Sequence, residues 1–515
     1  MRKKILTATL STSILLASLM TSGCDLGKFL HFSKTLTYGI ISYGVVMGSA
    51  GIDPHQSYFG WSAVRYGVGE TLFKFNDRME LEPWLADNYE FIDENTLRIH
   101  IRDNVCFSNG KKVDGMAVKK CFEDLLARHD RAPEDLKIAS ITAEDQVIVI
   151  HSDEKIPAMI NFLSDPYCAI VDVDAGFNDR LAIGTGPYVA EKLTDTQIDL
   201  VPNENYWGAV KPKLDHLVIK GINNGEVLTQ LLQNGEIDAA HGISYENLQM
   251  FDADPDFKFT DADTSRDYQI AFNFDTPELQ DIRIRQAICM AVDKDYFAYV
   301  VMRGNGTPAA GPFPANTSFG GDVVRAPDFD LDYARELIGD AGYFDSDGDG
   351  YVDKDGKNLE LRFLTYTSRA ELPILAEHLR DNLQQIGIKL EINATDAYKA
   401  FVRVRQFDLV AESMATAPTG DPEYYFMSHI VPEAVDNVGN YYSPEILRLT
   451  DQLHNTFDKQ TRSNYAIQIS QQIVDDCALC YVAHQHMSVV TKSNVYGLNA
   501  HPSEYYGITS ETDLR

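Results

Sequence analysis

Apolar residues recur with two different periods along this 515-residue chain, and the switches between the periods predict its elements. Leu36, Tyr38 and Ile40 open a first strand, and Leu97, Ile99 and Ile101 alternate with Thr96, Arg98, His100 and Arg102 in another. Residues 138–151 read as a hairpin. Met116, Val118, Cys121, Phe122, Leu125 and Leu126 repeat with helical spacing behind Asp114, which fits an N-cap. Trp61 and Arg65 stand four apart, on one helix face. The stretch from Gly184 to Ala240 is the densest. Val189, Glu191 and Leu193, followed by Ile198 and Leu200, predict a hairpin; Leu214, Leu217 and Ile219 predict a strand; Val227, Leu228, Leu231 and Leu232 predict a helix that Gly235 ends. Gly184 and Gly186 permit a close backbone approach in a turn that Pro187 stiffens.

Further along, strands and helices alternate: strand 268–274, a helix from Asp281, helix 332–341, strand 359–365, helix 372–385, strand 388–392, helix 397–403 and strand 407–411. Paired helices follow at 446–457 and 462–475, then a late strand at 481–491. This order predicts an α/β lobe. At the other end, Arg2, Lys3 and Lys4 precede an apolar run, Ile5 to Met20, and small residues before Cys24. The run is short and ends at a small-residue patch, so it reads as a secretory signal. Cys24 sits where a bacterial lipobox places its lipidated cysteine, although Thr21 stands where leucine is usual; the alternative is an ordinary signal with a chance cysteine.

About 490 residues would remain after the signal, more than one hydrophobic core organises, so two or three domains are expected. Lys plus Arg number 45 against 76 Asp plus Glu, a net charge of −31. Such a surface repels nucleic acid and anionic lipid headgroups. Cys106, Cys121, Cys168 and Cys289 stand singly in apolar surroundings, and one Cys477-Ala-Leu-Cys480 pair makes neither a disulfide framework nor a zinc site, so buried thiols are expected.

Pro83-Trp84-Leu85-Ala86, Leu97 to Gly110, Gly184-Thr185-Gly186-Pro187-Tyr188, Asn205-Tyr206-Trp207-Gly208, Gly235-Glu236-Ile237-Asp238, Asn273 with Asp281-Ile282-Arg283-Ile284-Arg285-Gln286-Ala287, and Asp421-Pro422 follow one another through nearly the whole chain. Each is a weak signal alone; the ordered set resembles family 5 extracellular solute-binding proteins, the binding components of ABC importers for oligopeptides, dipeptides and nickel. The resemblance implies an α/β, two-lobed periplasmic-binding-protein-like fold (type II) with an extra subdomain inserted in lobe I. It divides the chain into signal 1–24, linker 25–35, lobe I at 36–74, the inserted subdomain at 75–183, lobe I again at 184–267, lobe II at 268–487 and a lobe I terminus at 488–515. It also implies a non-enzymatic monomer that is exported, anchored to the membrane by lipid at Cys24, requires no cofactor, and delivers its ligand to a permease and ATPase complex.

The implied ligand is a short peptide or a nickel chelate. Peptide binders of the family place an acid shortly before the Asp-Pro pair; here Thr416, Ala417, Pro418 and Thr419 precede Asp421. Arg131 matches an arginine of the nickel-binding pattern, while a second arginine of that pattern falls near Asp165. Trp61 and Arg65 are further candidates, since a guanidinium forks around carboxylates, with core packing and a surface charge as the alternatives. Tyr424, Tyr425, Tyr441 and Tyr442 are candidate cleft aromatics or packing groups. His484 and His486, two apart on a strand, face one side and could hold a metal. Asp345, Asp347, Asp349 and Asp353 imitate a calcium loop, but Gly356 stands where its bidentate glutamate belongs, and a solvated turn is the alternative. Two other classes stay open: a secreted hydrolase, for which neither a Gly-x-Ser-x-Gly nor a His-Glu-x-x-His motif is present, and a calcium-dependent surface-binding protein.

Overall fold

In the computed structural model, which describes residues 33–41, 51–432 and 434–515, one mixed sheet of eleven strands runs through the molecule. The strands are β1 (Thr35–Ile40), β2 (Tyr188–Leu193), β3 (Gln197–Pro202), β4 (His216–Gly221), β5 (Ala239–His241), β6 (Phe257–Phe272), β7 (Gly306–Pro308), β8 (Glu360–Thr365), β9 (Lys389–Ala394), β10 (Leu409–Ala415) and β11 (Leu479–Lys492). Their order is β9-β8-β10-β6-β11-β5-β1-β4-β3-β2, with β7 also on β11. Two long antiparallel strands join the halves: β6 and β11 pair from Phe257 and Lys492 to Ala271 and Leu479. β5 holds one end of β11, and β10 holds the other end of β6.

Separate cores form around this frame. Leu36, Tyr38, Ile198, Leu200, Leu217 and Ile219 pack in one half. Ile270, Phe272, Leu361, Phe363, Leu375, Leu379 and Val482 pack in the other. A separate antiparallel sheet, ordered Ala86–Asp93, Thr96–Ile101, Val147–Ser152 and Ile138–Glu144, packs Leu97, Ile99, Ile101, Ile148 and Ile150 against Val118, Phe122 and Leu125 of the helix Gly115–Arg128. Separate cores on a shared sheet are the physical content of a two-lobed α/β fold with an added subdomain.

The helix starts follow their caps. Asp114 accepts from the Ala117 amide at 2.8 Å and Asp281 from the Arg283 amide at 3.0 Å. Two strands depart from the expected pattern. β6 begins at Phe257, because the polar residues Lys258, Thr260, Asp261 and Asp263 interrupt alternation where pairing with β11 continues. The strand Ala86–Asp93 lies at a sheet edge with most side chains exposed, so burial imprints little apolar period on it.

The Gly184 to Tyr188 turn is shaped by lack of space. A Cβ on Gly184 would lie 2.0 Å from the Val68 carbonyl oxygen, and one on Gly186 2.3 Å from that of Gly67. Thr185 of this turn donates to the buried Glu70 carboxylate at 2.9 Å, joined by the Tyr206 hydroxyl at 3.1 Å and the Trp207 indole N–H at 2.6 Å. Two of the sequence landmarks thus converge on one carboxylate. The signal reading of residues 1–24, Cys24 included, lies outside the described residues, among which no helix is long and apolar enough to cross a membrane.

Candidate functional site between the lobes

The helix Gly115–Arg128 ends at His129, whose buried imidazole organises the next turn. His129 Nε2 donates to the Ser57 carbonyl at 3.1 Å, while Nδ1 accepts the amides of Arg131 at 3.2 Å and Ala132 at 3.1 Å. Burial holds its pKa below the usual value, which preserves the accepting lone pair. The Arg131 backbone is thereby fixed.

From that turn the Arg131 guanidinium, about one-third exposed at 34%, reaches across to the other half of the molecule. Its carbon lies 5.5 Å from the Tyr167 ring centre and 5.3 Å from that of Tyr424, which belongs to the short helix Glu423–Tyr425. Asp135 accepts from it at 2.9 Å, and Asp165 lies 3.7 Å away. Burial opposes the arginine's charge, but Asp165, Tyr424, Asp135 and Tyr167 outweigh that and keep it protonated. Burial raises Asp165 to about 6 against the pull of Arg131, and pushes Tyr424 up to about 12. Tyr58, 55% exposed, adds to the upward shift of Tyr424.

The walls are pinned across the gap. The half-buried Trp61 meets Tyr505 edge-on at 4.8 Å, and the Tyr505 hydroxyl donates to the Pro418 carbonyl at 2.9 Å. Asn161 of the subdomain donates to the Thr419 carbonyl at 2.8 Å. Behind Tyr424, His429 stacks on Tyr425 at 5.2 Å, with its Nε2 3.8 Å from Asp436. Burial, with Arg131 adding to it, lowers His429 to about 4, so its imidazole is neutral. His429 lines a small, partly open crevice with Gln269, Asp436, Tyr441 and Leu479. Together these groups offer one cation in a frame of aromatic rings and one neutral nitrogen donor, the chemistry of a carboxylate-bearing metal complex.

The residues singled out by sequence divide accordingly. Arg131 and Tyr424 face each other across the lobes, with Trp61 in the adjoining wall. Arg65 is buried, and its Nε donates to the Glu504 carbonyl at 2.8 Å, so it braces the C-terminal segment. The Thr416 hydroxyl bonds the carbonyls of Ser265 and Pro312. Thr419 is fully buried and contributes its backbone carbonyl. Tyr441 is buried, bonded through its hydroxyl to Asp476 and in ring contact with Phe274; Tyr425 bonds Gln269 and Tyr481, and Tyr442 is 62% exposed.

The candidate metal ligands divide as well. His484 is buried 3.8 Å from Asp267, whereas His486 bonds Asp263 at 2.9 Å and Thr307 at 2.9 Å. Among the described residues they join no set of three ligating side chains within 4.8 Å; only Asp345, Asp347 and Asp349 do so. That exposed trio does not include Asp353, whose carboxylate accepts from the amide and hydroxyl of Ser346. Tyr58, His129, Asp165, Tyr167, His429 and Tyr505 carried no spacing signal, because their neighbours come from distant parts of the chain. The His129-x-Arg131 adjacency after a clear helix was the one local hint.

Two lobes that meet through side chains from both sides fit a ligand-capturing protein rather than a scaffold. The chain belongs to the bacterial extracellular solute-binding proteins, family 5, whose sequence profile matches residues 80–433. It is therefore an exported substrate-binding protein of an ABC importer, working with a permease and an ATPase. It is 26% identical over 457 residues to the nickel-binding protein NikA of Staphylococcus aureus, spanning 88% of this chain and 90% of that one. The glutathione-binding protein GsiB of Pectobacterium atrosepticum is 22% identical over 491 residues, 90% and 92% of the two chains. Among solved structures, that of NikA from S. aureus in complex with Ni(L-His)2 is similar with a TM-score of 0.78 and 25% identity, covering 94% of this chain and all (100%) of that one. The nickel ABC transporter structure from Bacillus halodurans gives 0.79 and 27%, with coverage of 94% and 100%.

Proposed function

We propose that this protein captures a nickel chelate whose organic part carries a carboxylate, and delivers it to the permease without chemical change. The observation that carries the reading is Arg131, which spans from subdomain to far lobe between Tyr167 and Tyr424, with the neutral His429 behind the Tyr424 ring. Arg131 would take the carboxylate and the rings would exclude water, while the neutral His429 would have to release Ser428 to approach the metal. The nickel-binding relatives support this choice over a peptide. So does the segment before Asp421, which carries no acid for a peptide's ammonium group and whose two threonines are buried.

The lobe and subdomain boundaries given above, a monomeric state and a lipid anchor at Cys24 belong to the same proposal. Titration calorimetry with nickel and L-histidine, set against a pool of di- to pentapeptides and glutathione, tests it. Saturable heat is expected with the nickel complex. Arg131→Ala should weaken binding by about 10- to 100-fold, the loss of one charge-assisted contact. Binding to peptides alone would overturn the ligand assignment, and turnover of any bound peptide would overturn the non-enzymatic reading.

A further inference from the structure

Three buried cysteines lie near one another in the far lobe's core. Cys289 lies on the helix Ile282–Met290; Cys477 lies in the turn after the helix Lys459–Asp475; Cys480 lies on β11. They are 5%, 2% and 3% exposed, and none is in a disulfide. All three pack in one core cluster, and the Cys289 thiol interacts electrostatically with both others. One helical turn earlier, Arg285 Nε donates to the Cys477 carbonyl at 3.2 Å, which ties this helix to the turn.

The arrangement is a row. Three thiolates that bound one metal ion would close into a compact set, yet these sulfurs form no such set within 4.8 Å. Cys289 stands in the middle, with a partner on either side. Cys477 also has a backbone φ of 44°, at the position after a helix C-cap where glycine or asparagine is favoured. A cysteine there keeps a thiol at a conformational cost. Cys289, Cys480 and Lys294 line one small, partly open crevice.

We propose that Cys289, Cys477 and Cys480 form a peroxide-responsive thiol site, in which Cys289 makes a disulfide with Cys480 and can pass it to Cys477. The Cys480 thiolate attacks one peroxide oxygen, giving a sulfenic acid and releasing hydroxide; the Cys289 thiol then displaces that oxygen as water and forms the S–S bond. Two thiols lose two electrons, and one peroxide is reduced to water. Attack by Cys477 on the Cys289 sulfur then moves the bond and returns Cys480 as a thiol. The neighbouring Cys289 thiol, assisted by the Lys294 charge and opposed by burial, holds the Cys480 thiol below its ordinary pKa, consistent with its acting first. Either bond would tie the helix Ile282–Met290 to the segment leading into β11. Family membership places the protein outside the cytosol, where such bonds persist.

The test treats the reduced full chain with hydrogen peroxide, then denatures and alkylates it for intact-mass and peptide mapping. The expected result is the loss of two alkylatable thiols, with Cys289 linked to Cys480 in one population and to Cys477 in another. Cys477→Ser should leave only the Cys289–Cys480 link, and Cys289→Ala should abolish both, with thermal melting checking that each variant is folded. The mapping of the wild-type chain stands even if a variant fails to fold. Unchanged thiol counts, or a Cys477–Cys480 link in place of those through Cys289, would overturn the proposal.

Discussion

Replacing Glu70 by glutamine should change how stability depends on pH. In the native state this carboxyl is 1% exposed, and burial raises its pKa from 4.5 to about 7 even though Trp207, Thr185 and Tyr206 all donate to it. A group whose folded pKa is raised binds its proton more tightly when folded. Its stabilising contribution is complete below pH 4.5 and is lost as the pH rises towards 7. At about 1.4 kcal/mol per pH unit, the loss over that window is roughly 3 kcal/mol.

Glutamine cannot titrate, so its variant should lack this slope. Its own cost is small: the amide oxygen can replace Oε2, where Trp207 and Thr185 converge, and the NH2 can face a Tyr206 hydroxyl turned to accept. That leaves about 1 kcal/mol for the exchange. Urea unfolding followed by Trp207 fluorescence at about pH 5 and about pH 7.5 measures the contrast. Wild type should lose stability relative to Glu70→Gln on going to the higher pH. Parallel curves would show that the carboxylate is ionised in the fold without penalty, and the argument from burial would fail.

Three more outcomes follow from named contacts. Arg462, 5% exposed, holds both Asp421 and Glu423, so Arg462→Met strips Asp421 of its ion-pair partner and leaves Glu423 only His454, and should cost about 3–5 kcal/mol, read by calorimetric melting; an unchanged Tm would contradict it. Gly184→Ala places a methyl against the Val68 carbonyl and should prevent soluble folding, whereas native-like circular dichroism would show that the turn can open. His129→Ala removes the acceptor for the Arg131 and Ala132 amides and should weaken chelate binding about tenfold by loosening Arg131; equal affinity would deny His129 its positioning role.

What could be read from sequence followed from how many surroundings each residue has. The helix Glu371–Gln385 and strand β1 each present a steady apolar period because one core decides their burial, and both emerged close to their expected limits. The first half of β6 and the strand Ala86–Asp93 carry mostly polar or exposed positions, and no period marked them. The same physics limits the site. Arg65 is a plausible carboxylate fork by residue type, but Glu504, far along the chain, decides that it braces instead. Of the side chains that surround Arg131, Asp135 is four positions on, whereas those of residues 165, 167 and 424 meet it through the fold and not through spacing. Asp165 carries the most consequence among them. With Asp135, it places two acids around the one arginine, so a ligand with several carboxylates would meet repulsion where a single carboxylate meets attraction. Charge balance at that contact therefore weighs more in ligand choice than the chain's overall acidity.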